Sequence, residues 1–192
     1  EKKKIFEFGI PKYDPKWIKE LIKFEKKIIK KNKFIITIPY KSFFNIYPDK
    51  KDFLENYFSR MINGILDNNQ NCIILIKLHP RLKCEYTKVM ILNLKKKFKN
   101  RIILTKTNLI YLAKISNLFL CPTNTATIFD SIYFKTPTLQ YDVGIKFLDG
   151  KENYNNVYER KKISIIFKDL ALLNKNINNL ISKKIDLRFK YQ

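Results

Sequence analysis

Short runs of apolar and β-branched residues recur along this chain, each bounded by polar or turn-forming positions. Six of them read as buried strands: Phe34–Pro39, Cys72–Leu78, Arg101–Thr105, Asn117–Cys121, Thr138–Tyr141 and Ile163–Phe167. Between them the apolar residues fall at helical spacing. Lys51–Leu66 gathers Phe53, Leu54, Tyr57, Phe58, Met61, Ile62 and Ile65 on one face, and Glu85–Phe98 gathers Val89, Met90, Leu92 and Leu94. Asn108–Ile115, Thr125–Phe134 and Asp169–Ile181 complete the helices.

Strand and helix alternate with links of a few residues, the pattern of parallel βαβ units with right-handed crossovers. Strands covered on both faces should be continuous apolar runs, and these are. The expected fold is α/β, a doubly wound, Rossmann-like parallel sheet of about six strands over residues 34–192. The first 33 residues differ. Glu1–Gly9 reads as a strand, IPKYDPKW turns the chain, and Trp17–Lys31 has the spacing of a lysine-rich amphipathic helix. This stretch is expected to be a packed helix or a crossover from a preceding domain that the 192 residues do not contain.

Composition narrows the classes. The chain is 45% hydrophobic and 14% aromatic, which suits a packed globular protein and not a disordered one. No apolar run approaches the roughly 20 residues that span a bilayer, and the N-terminus lacks the apolar core of a signal peptide. A cytoplasmic protein is therefore expected. Cys72, Cys84 and Cys121 form no CxxC pair and His79 is the sole histidine, so neither a metal site nor a disulfide is expected. The net charge of +22 favours anionic ligands and is compatible with peripheral contact at the anionic inner face of a membrane. It does not select nucleic acid: the 39 basic residues are mostly lysines scattered over every helix, without the aromatic platform that stacks bases.

Ligands of open parallel sheets bind beyond the carboxyl ends of the strands, so the chemistry is sought there. After the second strand, period-2 alternation puts Lys77 and His79 on one side, with Pro80 ending the strand and Arg81 just beyond. Three such donors suit a phosphate. After the fourth strand, Thr123, Asn124, Thr125 and Thr127 run directly into a helix, where unpaired amides and the helix dipole favour an anion. A plain N-cap explains one such side chain more readily than four. Asp130, one turn on, is either within reach of a ribose hydroxyl or a first-turn carboxylate favoured by the dipole. Tyr40, Lys41 and Ser42 after the first strand, and Gln140, Tyr141 and Asp142 at the fifth, carry weaker signals. The GxGxxG, GxxxxGK[ST] and GxSxG patterns are absent, which argues against dinucleotide, P-loop and serine-hydrolase chemistry.

KLHPR (Lys77–Arg81) and SNLFLCPTNTATIFDSIYFKTPTLQYD (Ser116–Asp142) together resemble the C-terminal, donor-binding domain of GT-B enzymes that build bacterial surface carbohydrate. CDP-glycerol glycerophosphotransferases, capsular Kdo transferases and bacterial sialyltransferases share the pattern, an HP motif after one strand and a Ser/Thr pair opening a later helix. Here that pair is replaced by Thr123, Asn124 and Thr125, and FGIPKYD (Phe8–Asp14) resembles the stretch that crosses between the two domains. The resemblance implies a glycosyltransferase-type enzyme. His79 would be its catalytic group, holding the leaving phosphate with Thr123–Thr127, while Asp130 lies near the ribose. It implies no resident cofactor. The nucleotide belongs to the donor, CMP-, CDP- or UDP-linked, and the other partner is a glycan or lipid-linked acceptor. The acceptor and the base would come from an N-terminal domain, without which the chain is expected to be inactive. Two rivals stand beside this reading: a UDP-N-acetylglucosamine 2-epimerase-like enzyme, and a non-catalytic basic module that binds RNA or membrane.

Overall fold

A computed structural model describes residues 11–25, 32–40, 50–79, 85–123, 125–142 and 164–183. The opening strand expected over residues 1–9, the end of the helix expected to reach Lys31, and residues 41–49, 80–84 and 143–163 lie outside the described residues. Six parallel strands form one sheet: β1 (Phe34–Tyr40), β2 (Cys72–Leu78), β3 (Ile102–Thr105), β4 (Leu118–Pro122), β5 (Thr138–Tyr141) and β6 (Ile165–Phe167). Their order across the sheet is β3-β2-β1-β4-β5-β6. The chain winds outward from β1 in one direction, returns, and winds out from β4 in the other, so the order reverses between β1 and β4.

The apolar runs form strands because both faces are covered, and the cover divides the helices into two layers. On one face Ile36, Ile38, Ile74, Ile76, Leu118 and Leu120 pack against α2 (Lys51–Leu66), α3 (Glu85–Phe98) and α6 (Leu170–Lys183). On the other, Ile35, Ile73, Leu75, Phe119 and Cys121 meet Leu112 and Ala113 of α4 (Leu109–Ile115) and Phe134, which follows α5 (Ile128–Tyr133). Gly64 permits the close approach of α2 to α6, since a Cβ there would strike the Asn174 amide. Asn69, just past α2, donates to Asn178 of α6 at 2.6 Å.

Several expectations are corrected by position. The edge strands β3 and β6 are only half covered: Leu104 and Ile165 face solvent, because an edge has a neighbour on one side only. In α3 the buried face is Thr87, Met90, Ile91, Leu94 and Phe98, leaving the expected Val89 and Leu92 exposed; Phe53 of α2 is exposed too. The N-terminal helix α1 spans Pro15–Phe24 and stops well short of Lys31. Asp14 caps its start by accepting from the Trp17 amide at 2.9 Å, with Pro15 at the first position. At its end Glu25 turns to extended geometry and accepts from the Asn108 amide at 2.8 Å, the residue that caps α4. Only Ile18 of α1 is buried, while Trp17 (55%) and Phe24 (86%) are largely exposed. Helix α5 is shorter at both ends than the apolar pattern suggested. Residues 125–127 form a turn before it, and Lys135 adopts a left-handed φ of 54° after it.

No described helix is long and apolar enough to cross a membrane.

Candidate functional site

The reversal of strand order opens the sheet at the carboxyl ends of β1 and β4, where the helices that follow these two strands, α2 and α5, leave to opposite faces. β1 ends on Tyr40, whose buried ring meets Phe58 edge-on at 4.7 Å. The amide of His79 donates to the Tyr40 carbonyl at 3.3 Å, which fixes the backbone just past β2 beside the end of β1. On the other side the Thr123 amide donates to the Tyr141 carbonyl at 3.1 Å, tying the end of β4 to β5. His79 and Thr123 thus flank Tyr40, two strand spacings or about 10 Å apart.

Alternation settles the face. Ile73 and Leu75 belong to the α4 layer, so Lys77 and His79 continue on that side; Phe119 and Cys121 carry Thr123 to the same side. His79 is exposed there and Thr123 is buried. Lys77 shares the face but reaches the other way: its ammonium donates to the Lys106 carbonyl at 2.6 Å, beyond β3. Partial burial lowers the Lys77 pKa, and the nearby Glu25 carboxylate partly restores it. His79 and Thr123 thus stand on one face at the carboxyl end of the sheet, and Lys77 is engaged away from them. Arg81 and Asn124 lie outside the described residues, as do Lys41 and Ser42.

Within the turn, the hydroxyls of Thr125 and Thr127 lie 3.0 Å apart. Thr127 occupies the N-cap position of α5 yet has helical backbone angles and makes no side-chain cap. Its hydroxyl approaches the Cys121 sulfur at 3.8 Å, while its amide leans on the Thr125 hydroxyl at 3.4 Å. Burial pushes the Cys121 thiol up to about 12, so it sits there as a neutral group. Cys72 is likewise buried and pushed up to about 12. Among the described residues no cluster of three His, Cys, Asp or Glu side chains forms a metal site.

Asp130 is fully buried. Lys12 reaches its Oδ1 at 2.6 Å and the Tyr13 hydroxyl donates to the same oxygen at 3.1 Å, while Oδ2 is buried without a hydrogen-bond partner among the described residues. The carboxylate is thus turned toward Lys12 and Tyr13, ahead of α1. On the α2 side of the sheet the Tyr57 hydroxyl donates to the Asp142 carbonyl at 3.2 Å and its ring lies 6.3 Å from Tyr141. Burial, then Asp142 and Asp169, push the Tyr57 phenol up to about 12. The apolar spacing of α2 places Tyr57 on its core face, and the sequence around Lys12 and Tyr13 indicates only a turn. The two prolines bracketing Lys12-Tyr13-Asp14 signalled a rigid turn but not its destination.

No family model and no curated protein matches the sequence. Among solved structures, the fold is similar to the UDP-GlcNAc 2-epimerase of Methanocaldococcus jannaschii, solved in complex with UDP-GlcNAc and UDP. The two share 17% identity at a TM-score of 0.55, over 85% of this chain and 41% of that one. This chain therefore spans about two fifths of that enzyme's length. A looser likeness, with a TM-score of 0.43 and 10% identity, covers 71% of this chain and 47% of Thermosulfurimonas dismutans KpsC, a beta Kdo 2,4 transferase. The first likeness establishes a shared α/β fold, a parallel sheet with helices on both faces.

Proposed function

We propose that this chain is the donor-binding part of a glycosyltransferase-type enzyme that builds bacterial surface polysaccharide. The ligand in this reading is a nucleotide-activated sugar, or a CDP-glycerol-like donor, lying over Tyr40. One observation carries it: at the reversal between β1 and β4, His79 and the Thr123–Thr127 turn stand on the same face at the same end of the sheet. A phosphate there would meet the His79 imidazole from one side and hydroxyls with backbone amides from the other. That arrangement stabilises charge on a leaving phosphate as its bond to the sugar breaks. The strongly basic chain adds a favourable field for such a ligand. In this reading the acceptor site and the catalytic base belong to a second domain across the cleft, so this chain alone binds a pyrimidine nucleotide weakly and transfers nothing.

Thermal shifts with CMP, CDP, UDP, GDP and ADP test the proposal, since a ligand at 100 times its dissociation constant stabilises by about 2.7 kcal/mol. A rise in melting temperature with a pyrimidine nucleotide, and none with inorganic phosphate at the same concentration, supports it. Binding to RNA or anionic vesicles that falls steeply with salt, with no response to any free nucleotide, refutes it in favour of a basic binding module. Release of UDP from UDP-N-acetylglucosamine without an acceptor would replace the transferase reading with the epimerase-like one.

A further inference from the structure

Helix α5 has six residues, too few to hold its own shape in water. Its first turn closes through the Phe129 amide on Ala126 at 3.2 Å and the Asp130 amide on Thr127 at 3.1 Å. From below it is held by buried hydroxyls: Ser131 donates to the Ile128 carbonyl at 2.7 Å, and Thr138 of β5 donates to Ser131 at 2.6 Å. What holds it from outside comes from the other end of the chain. Lys12 and Tyr13 converge on Oδ1 of Asp130, and the Tyr13 ring stacks on Tyr133 at 5.5 Å with 16° between planes. Asp130 and Tyr133 are three residues apart and so share one side of the helix.

We infer that Asp130 is a positioning residue: its carboxylate is clasped by Lys12 and Tyr13 so that the segment entering the domain holds the start of α5, and with it the Thr125–Thr127 hydroxyl pair, in place. A first-turn carboxylate on an open helix would be hydrated, yet this one is wholly buried while Lys12 stays half exposed. Burial and the Asp130 charge both raise the Tyr13 pKa, so the phenol remains a donor at neutral pH. Oδ2 has no hydrogen-bond partner among the described residues, so the contacts of the carboxylate converge on Oδ1. Asp14, next in sequence, caps α1, so three consecutive side chains link the start of α1 to α5. Asp130 acts on the threonines through its backbone, because its amide holds the Thr127 carbonyl.

The clasp is independent of any ligand, although its consequence for binding rests on the proposed donor site. The test uses Tyr13→Phe, Asp130→Asn and Lys12→Met, with Lys12→Arg as the conservative variant, and needs two measurements. In hydrogen exchange without ligand, the Phe129 and Asp130 amides of the first three variants should exchange about tenfold faster, while those of Ile74 and Leu120 are unchanged. Lys12→Arg should keep wild-type protection. In calorimetry with the nucleotide that stabilises the wild type, the same three variants should lose about tenfold in affinity. Unaltered exchange at Phe129 and Asp130, or equal acceleration through the whole sheet, overturns the clasp. If wild type binds no nucleotide but α5 exchange is selectively accelerated, the clasp stands and the donor-site reading falls. If nucleotide binds the wild type and every variant equally, the clasp does not position the threonines and the inference fails.

Discussion

The hydroxyls of Thr125 and Thr127 lie 3.0 Å apart at the start of α5, and neither is spent in a side-chain cap of that helix. A capping threonine is costly to lose for stability, whereas a hydroxyl pair whose further contacts are long, to the Cys121 sulfur at 3.8 Å and from the Thr127 amide at 3.4 Å, is replaceable unless a ligand uses it. Thr125→Ala should leave the melting temperature within about 1–2 °C. It should weaken nucleotide binding by about 0.5–1.5 kcal/mol, because the backbone amides remain. Thr125→Glu should abolish binding by setting a carboxylate where the phosphate goes. Calorimetric titrations that return equal, small effects for both would mean that no anion sits at this turn.

His79 is exposed beyond β2 and adds nothing to either core layer. Its replacement by alanine should therefore spare the fold and cost about 1.5–3 kcal/mol of nucleotide affinity, the worth of a charge-assisted hydrogen bond. A collapsed melting temperature with unchanged affinity would assign the imidazole a structural role instead.

Arg101 serves stability. Its guanidinium donates to the Leu66 carbonyl at 2.7 Å and the Asn69 carbonyl at 3.1 Å, at the C-terminal end of α2, and lies 5.2 Å from the Phe98 ring. These bonds satisfy carbonyls that helix geometry leaves open, and the charge opposes the helix dipole. Arg101→Met should lower the free energy of unfolding by about 1–2 kcal/mol in urea melts without altering nucleotide affinity. An unchanged urea midpoint would contradict this role.

Stability should fall on the alkaline side. Cys72 and Cys121 are pushed up from 9.0 to about 12, and Tyr57 from 10.0 to about 12. Between the unfolded and folded values the native state holds more protons than the unfolded state, so stability decreases as pH rises. The decline should begin near pH 9 with the thiols and continue towards pH 12. Urea melts at half-unit pH intervals measure it, and a Cys72→Val, Cys121→Val double variant should delay the onset to about pH 10. A stability that stays level in the wild type from pH 8 to 10.5 would contradict these directions.

Where a residue's environment is set by its own neighbours in sequence, the chain alone was enough. β2, β5, α2 and α3 occupy the spans their periodicity indicates, because alternation and helical spacing are local properties of a segment that buries one or both faces. The parallel α/β class followed from the alternation of those segments, and the strand-tip positions of His79 and Thr123 followed with it. Tertiary structure alone decided what lies beside each element. β3 and β6 became half-covered edges because the strand order placed them last, which no run of apolar residues encodes. Helix α1 ended at Phe24 because Glu25 was drawn to the Asn108 amide, a partner remote in sequence. Lys77 turned to the Lys106 carbonyl and Asp130 to Lys12 and Tyr13 for the same reason. A charged side chain losing water takes the nearest compensating group, and which group is nearest is a property of the packed chain, not of the residues on either side.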